Sequence, residues 1–218
     1  RWKQGLMMPK ILKEVDHIIL MPRCARHALA GSTLGLKAAV GYWRTDTRLE
    51  YHRDASTFQE KTADGNTVET LLKKQRLVVS AADKILTTFG PDKGYVVQPE
   101  TGLMMASESV VAHDMVSLAW LLENRLAVPS SEKEGLSDPY SSQWMVSAAN
   151  HWVVNKRGGL GQAVDSERLT RNDIDTIWDD RVLIRAYKIF GNRPTVVLEQ
   201  ANDGVPQDLK KRLTERTS

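Results

Sequence analysis

Three side chains with useful proton-transfer or nucleophilic chemistry lie in the first quarter of the chain: His27, Lys37 and His52. A histidine gives or takes a proton near neutral pH. A lysine in a partly buried, glycine-lined pocket loses basicity and becomes an anion clamp or a covalent nucleophile. A second histidine adds another base or a metal ligand, and His52 is the one candidate for that metal role. The stretch from Asp16 to Arg53 interleaves these groups with Gly31, Thr33, Gly35 and Gly41. It surrounds them with Arg23, Arg26, Arg44, Arg48 and Arg53. Guanidinium forks suit carboxylate and phosphate. A small anionic molecule is therefore the expected ligand, with Arg23, Arg26, Thr33, Arg44 and Arg48 as its contacts. Spacing alone leaves a plainer alternative open. His27 would then satisfy a backbone group, Lys37 and His52 would be surface groups, and the arginines would form a solvated face paired with Asp46, Glu50 and Asp54.

Other clusters carry weaker signals. His113-Asp114 opens a helical pattern, where an acid complements the helix dipole, so a structural role is expected. Gly158-Gly159-Leu160-Gly161 lacks a leading strand and fails as a dinucleotide fingerprint. Asp173, Asp175, Asp179 and Asp180 lack calcium-loop spacing and read as a solvated acidic face. Of the six tryptophans, Trp43 alone adjoins the candidate site.

The elements that must position these residues alternate between strands and helices, which predicts an α/β fold with a mixed or mostly parallel sheet flanked by helices. Residues 6–15 read as a helix after Pro9. Asp16 to Met21 reads as a strand apolar on both faces, as in a buried parallel strand, and Pro22 ends it. Arg23 to His27 would then lie in the loop beyond the strand's C-terminal end, where open α/β sheets bind ligands. Ser32 to Val40 reads as a helix capped by Gly31 or Ser32. Gly35 within it points to a close backbone approach. Residues 42–53 read as a basic loop or short helix. Thr67 to Gln75 is a helix, and Arg76 to Ser80 and Asp83 to Phe89 are strands. GPDKG at 90–94 is a turn, and Tyr95 to Gln98 and Leu103 to Ala106 are short strands. Ser107 to Glu123 is the strongest helical pattern. Residues 128–143 read as a loop or linker and Gln143 to Val154 as a helix. Asp173 to Phe190 reads as a helical region broken near Asp179-Asp180. Thr195 to Glu199 reads as a last strand, and Pro206 to Glu215 as a terminal helix. The expected organisation is a main α/β domain over 1–127, a linker over 128–142 and C-terminal elements over 143–218 packed on the same domain.

Composition narrows the function classes. The chain has 218 residues, enough for a sizeable core without staples. A net charge of +3 is mild, so bulk charge makes no demand for nucleic acid as a partner. One cysteine, Cys24, rules out an internal disulfide and any iron–sulfur cluster ligated by this chain alone. No apolar run approaches the ~20 residues of a membrane span, and no signal peptide is visible, so a cytoplasmic location is expected. The first residue is Arg1, so either a processed product or a piece of a longer protein is expected, with room for an N-terminal half or a partner subunit absent from this chain.

The pattern Pro22, His27, Gly31, Thr33, Lys37, Gly41, Arg44, Tyr51, His52 resembles the bacterial and archaeal domain of unknown function 362 family. The GPDKG turn and the ASESVVAHDMVSLA helix are similar to that family too, and KIFGNRP near 188–194 is a fainter echo. The resemblance implies an α/β fold and no settled activity. Many members carry ferredoxin-type modules, which a single cysteine cannot supply. Ala25 stands where the family commonly has a lysine and Ala38 where it commonly has an asparagine. A shorter segment, His27-x₂-Ala30-Gly31-x-Thr33-x-Gly35-x-Lys37-Ala38 with His52 beyond, is similar to nickel-pincer lactate racemases. That resemblance implies a proton-transfer base at His27, covalent attachment of the pincer at Lys37 and nickel ligation at His52.

The expectation is a domain that binds a small anionic substrate or cofactor, with racemase- or redox-type chemistry at a 2-hydroxy acid. Proton abstraction beside a carboxylate needs a base and a cationic clamp, and this segment holds both residue types. The cofactor is open, with a nickel-pincer group as the one the resemblance implies. The competing expectation is a non-catalytic binding or assembly module with a degenerate site. There the basic stretch 44–53, with Trp43 and Tyr51, docks a partner protein or an anionic polymer.

Overall fold

A computed structural model describes residues 2, 5–27, 30–53, 57–88, 90, 94–132 and 174–218. Its strands form two mixed sheets with helices around them, an α/β architecture. The first sheet has the order β1(Ile18–Leu20), β4(Gln75–Ala82), β7(Leu103–Ser107). β1 is parallel to β4, and β4 is antiparallel to β7, with Ala82 opposite Leu103 and Val78 opposite Ser107. The second sheet has the order β3(Gly31–Thr33), β2(Ala25–His27), β5(Ile85–Leu86), β6(Val96–Val97). Only the β2–β5 pair in it is parallel.

The organising helix is α6(Val110–Arg125), which Ser109 opens by accepting the Ala112 N–H at 3.2 Å. Val111, Met115, Leu118 and Leu122 recur at helical spacing and are buried in the main core. The core also takes Leu20 and Val78 from the first sheet, Leu71 from α5(Glu69–Lys74), and Leu36. At the C-terminal end, α7(Arg181–Phe190) and α8(Gln207–Thr217) close on the same core through Leu183, Leu209 and Leu213. α7 starts where Asp180 accepts the Leu183 N–H at 2.8 Å, after a 3₁₀ turn over Ile177–Asp179. The helical region is thus broken at the expected acids. Asp179 and Asp180 serve as caps there, and among the described residues no cluster of three or more His, Cys, Asp or Glu side chains could hold a metal ion.

Several expectations change. β1 is buried on one face only: Ile19 is 56% exposed while Ile18 and Leu20 are buried. It is an edge strand, so its apolar run does not report two covered faces. Arg23 to His27 is not a loop, because Ala25 to His27 form a strand of the second sheet. Ser32 does not cap a helix. Gly31 to Thr33 pair back on β2, and the helix is the single turn α2(Gly35–Ala38) followed by a 3₁₀ turn over Ala39–Tyr42. Residues 42–53 yield α3(Thr45–Arg53), the helical option. Thr195 to Glu199 is extended but pairs with no strand among the described residues. Its β-branched residues supply propensity, and pairing needs a neighbour. Residues 133–142 of the expected linker, the helix expected over 143–154, the Gly158–Gly161 segment, Asp173 and residues 91–93 of the GPDKG turn lie outside the described residues. No helix among the described residues is long and apolar enough to cross a membrane.

Candidate functional site

His27 ends β2, where the hairpin pairs it with Gly31. Gly31 has φ 85°, a left-handed conformation that a glycine adopts without steric cost. This tight return brings the Ala30 N–H to His27 Nδ1 at 3.2 Å. Nδ1 therefore accepts, and in the neutral ring the proton sits on Nε2. Burial pushes the His27 pKa well below its ordinary 6.5, and the charges of Lys37, His52 and Arg26 push it the same way. His27 is thus a neutral imidazole with its proton on Nε2.

Lys37 lies on α2, partly buried, and burial lowers its pKa to about 8. Near neutral pH it is mostly an ammonium with an accessible amine form. His52 lies on α3, where its Nδ1 donates to the Arg48 carbonyl one turn earlier at 2.6 Å. The neutral ring then keeps its lone pair on Nε2, the arrangement of a base or a metal ligand. The two neutral rings are thus opposite tautomers, with the proton on Nε2 in His27 and on Nδ1 in His52.

An aromatic wall separates and orients them. Phe58, at the start of α4(Phe58–Asp64), stacks on His27 with ring centroids 6.0 Å apart and meets His52 at 5.3 Å. Tyr51 stacks on Phe58 at 3.8 Å. The Thr62 hydroxyl donates to the Phe58 carbonyl at 2.8 Å, which leaves its oxygen to accept from Tyr51 at 2.5 Å. Burial raises the Tyr51 pKa, so the ring is a neutral structural phenol. Trp43 meets Tyr51 edge-on at 5.0 Å, and Trp2 closes the cluster at 5.1 Å from Trp43. Lys61 sits over Trp2, 5.2 Å from the ring centroid. Phe58 and Trp2 escape a reading based on reactive residue types. Only the apolar start of the segment after 57 marks Phe58, and nothing local marks Trp2.

His27 and His52, from β2 and α3, both meet the Phe58 ring, at 6.0 and 5.3 Å, and the charge of Lys37 on α2 acts on the His27 ring. The structure distributes the arginines otherwise. Arg26 is buried, and its Nη1 donates to the Gly31 carbonyl at 2.6 Å, so it holds the hairpin. Arg23 is exposed, two residues before β2 begins, and lines a separate 420 Å³ cavity with Lys84. Arg44 is exposed and forks onto Asp46 at 2.9 and 2.5 Å. Arg48 is exposed and contributes its carbonyl to His52. Thr33 is half-buried opposite Ala25 in the hairpin. Cys24 is buried, its thiol donates to the Ser117 carbonyl at 3.3 Å, and burial raises its pKa to about 12, so it is inert as a nucleophile.

Among the described residues no group of three or more His, Cys, Asp or Glu side chains could hold a metal ion. A metal-bearing cofactor at this place would have the His52 ring and the Lys37 amine to hold it.

The sequence model of the family described as Domain of unknown function (DUF362) matches residues 1–119. That span exceeds half of the chain and contains the whole candidate site, and the chain belongs to this family. No curated protein matches the chain, and no solved structure does.

Proposed function

We propose that this member of the domain of unknown function 362 family binds a small carboxylate, of the 2-hydroxy acid class, and moves a proton or hydride at its C2 position. The observation that carries the reading is that His27 and His52 both meet the Phe58 ring, at 6.0 and 5.3 Å, with the charge of Lys37 acting on His27. The Lys37 ammonium neutralises the carboxylate. His27 Nε2–H donates to a carboxylate or hydroxyl oxygen, and as a neutral donor it adds no second fixed charge. His52 Nε2, whose lone pair the Arg48 contact preserves, takes the proton. The base role expected of His27 thus passes to His52, because the Ala30 N–H occupies the His27 lone pair. The Phe58 and Tyr51 rings strengthen these contacts by lowering the local dielectric. A nickel-pincer group anchored on Lys37 with His52 as ligand would supply an acceptor for the C2 hydrogen, and Lys37 would then be the anchor rather than the clamp.

The test is exchange of the lactate C2 hydrogen in D₂O, followed by proton NMR, alongside calorimetric binding of lactate. Exchange or binding by the native protein that disappears in Lys37→Ala supports the reading. Identical behaviour of native and Lys37→Ala protein overturns it. The second reading, a non-catalytic module docking a partner through the basic face of α3, is favoured by the exposure of Arg44 and Arg48. It predicts no exchange and salt-sensitive binding of an anionic polymer.

A further inference from the structure

Lys37 sits on a helix of a single turn, Gly35–Ala38. A turn this short does not sustain itself, because nucleation costs more than one hydrogen bond returns. Its end groups also need partners from elsewhere, and the residue before it, Leu34, provides no side-chain cap. Those partners come from two buried side chains distant in sequence. The Gly35 and Leu36 N–H groups donate to Asp114 Oδ1 at 2.7 Å and Oδ2 at 2.8 Å. The Leu36 carbonyl accepts from Asn66 Nδ2 at 2.7 Å. Both backbone groups of the residue before Lys37 are therefore held, one by α6 and one by the end of α4.

The bracket is itself braced. His113 Nδ1 donates to Asp114 Oδ1 at 3.1 Å, and the Ser80 hydroxyl donates to His113 Nε2 at 3.0 Å. Asn66 Nδ2 also reaches the Thr62 carbonyl at 3.0 Å. Asp114, Asn66, His113 and Ser80 are 2–3% exposed, so water does not compete for these bonds.

We propose that Asp114 and Asn66 are positioning residues that set where Lys37 sits and how deeply its amine is buried. The proposal rests on the reading of Lys37 as the group that holds the anion or the cofactor, and its test separates the two. Competitive trace labelling with acetic anhydride, from about pH 6 to about pH 10, is read at Lys37 by peptide mass spectrometry. The variants are Asp114→Asn and Asn66→Ala. Leu213→Ala, in α8 and away from α2, is the control for general destabilisation. In the native protein the labelling half-point is expected at about 8. A released turn lets Lys37 reach water, so the half-point climbs toward the ordinary lysine value of ~10.4, and labelling below it falls about tenfold per unit of climb.

The direction is informative. Removing the Asp114 charge by itself lowers a neighbouring lysine's pKa, so a rise in Asp114→Asn reports position and not charge. Asn66→Ala changes no charge and is expected to rise as well, whereas Leu213→Ala keeps the native half-point. A half-point that stays at the native value in both positioning variants overturns the proposal. If Asp114→Asn does not fold, Asn66→Ala decides by the same criterion. Lactate calorimetry on the native protein tests the proposed function separately, because the labelling needs no ligand.

Discussion

The Ala30 N–H donates to His27 Nδ1 across 3.2 Å, and this bond decides which nitrogen of the ring carries the proton. A histidine of undetermined tautomer would serve equally as base or donor. This one is a donor as long as the hairpin holds, because protonating Nδ1 requires losing the Ala30 contact.

His27 is therefore expected to stay neutral, with its proton on Nε2, from pH 8 down to well below its ordinary 6.5. Long-range ¹H–¹⁵N correlation spectra distinguish the tautomers directly. The linked stability effect has a definite sign. The unfolded chain binds a proton near 6.5 and the folded chain does not, so stability falls as pH drops below about 6.5. His27→Gln is expected to flatten that slope by at most about 1.4 kcal/mol per pH unit. An unchanged slope would show that His27 is not the buried neutral group.

Lys37 gives an opposing signature in ligand binding. Its pKa of about 8 means that the ammonium is lost as pH rises through that value. Affinity for lactate is expected to fall about tenfold per pH unit above the pKa. Lys37→Arg, which keeps its charge, is expected to hold its affinity flat over the same range. Calorimetry at several pH values checks this. A native affinity that is constant from about pH 7 to about pH 9.5 removes Lys37 from the anion contact.

Gly35→Ala is expected to destabilise the protein, against the usual sign. Alanine normally gains about 1 kcal/mol over glycine inside a helix. Here an added Cβ would sit 2.7 Å from Asp114 Oδ1 and 2.9 Å from Val110 Cγ2. Those neighbours are buried and hydrogen-bonded or packed, so the overpacking cost of about 1–3 kcal/mol wins. Urea denaturation of the two proteins gives the sign.

Asp180 provides a second pH-linked test, far in sequence from the site. Burial raises its pKa to about 7, and the charge of Asp114 adds to the rise. The folded chain therefore holds a proton that the unfolded chain releases, so stability falls as pH climbs from about 4 to 7. Asp180→Asn keeps a cap for the Leu183 N–H and removes the titration. Its expected effect is to remove that one contribution, so the variant gains on the native protein as pH climbs through the window, read as the difference between their thermal midpoints.

The legibility of these features in the sequence follows from how local their causes are. α6 was readable because Val111, Met115, Leu118 and Leu122 carry a period that burial enforces. The break at Asp180 was readable because a cap acts within three residues. The purpose of Gly35 was readable as a close approach, though its partner, Asp114, was not. β2 was invisible because Ala25-Arg26-His27 has no strand pattern of its own. It exists because the buried Arg26 guanidinium donates to the Gly31 carbonyl and the strand pairs with β3 and β5. Phe58 was missed because its role is defined by His27, thirty-one positions earlier, and His52. Thr195 to Glu199 erred the other way, with strand propensity but no partner strand among the described residues.

Arg44, just before α3, and Arg48 within it decide between the two functional readings. Arg44 is already committed: its fork onto Asp46 lowers the Asp46 pKa to about 2, and the pair is exposed. An exposed, paired guanidinium has little left to offer a small ligand held inside by Lys37 and His27. Arg44→Ala is therefore expected to change lactate affinity by less than about threefold. A docking surface for an anionic polymer would behave differently. There each cation lost weakens binding and reduces its dependence on salt. Measuring both ligands against Arg44→Ala and Lys37→Ala separates the cases. Loss of lactate binding in Lys37→Ala alone places function inside the hairpin and α2. Loss of polymer binding in Arg44→Ala, with lactate never bound, places it on the outer face of α3.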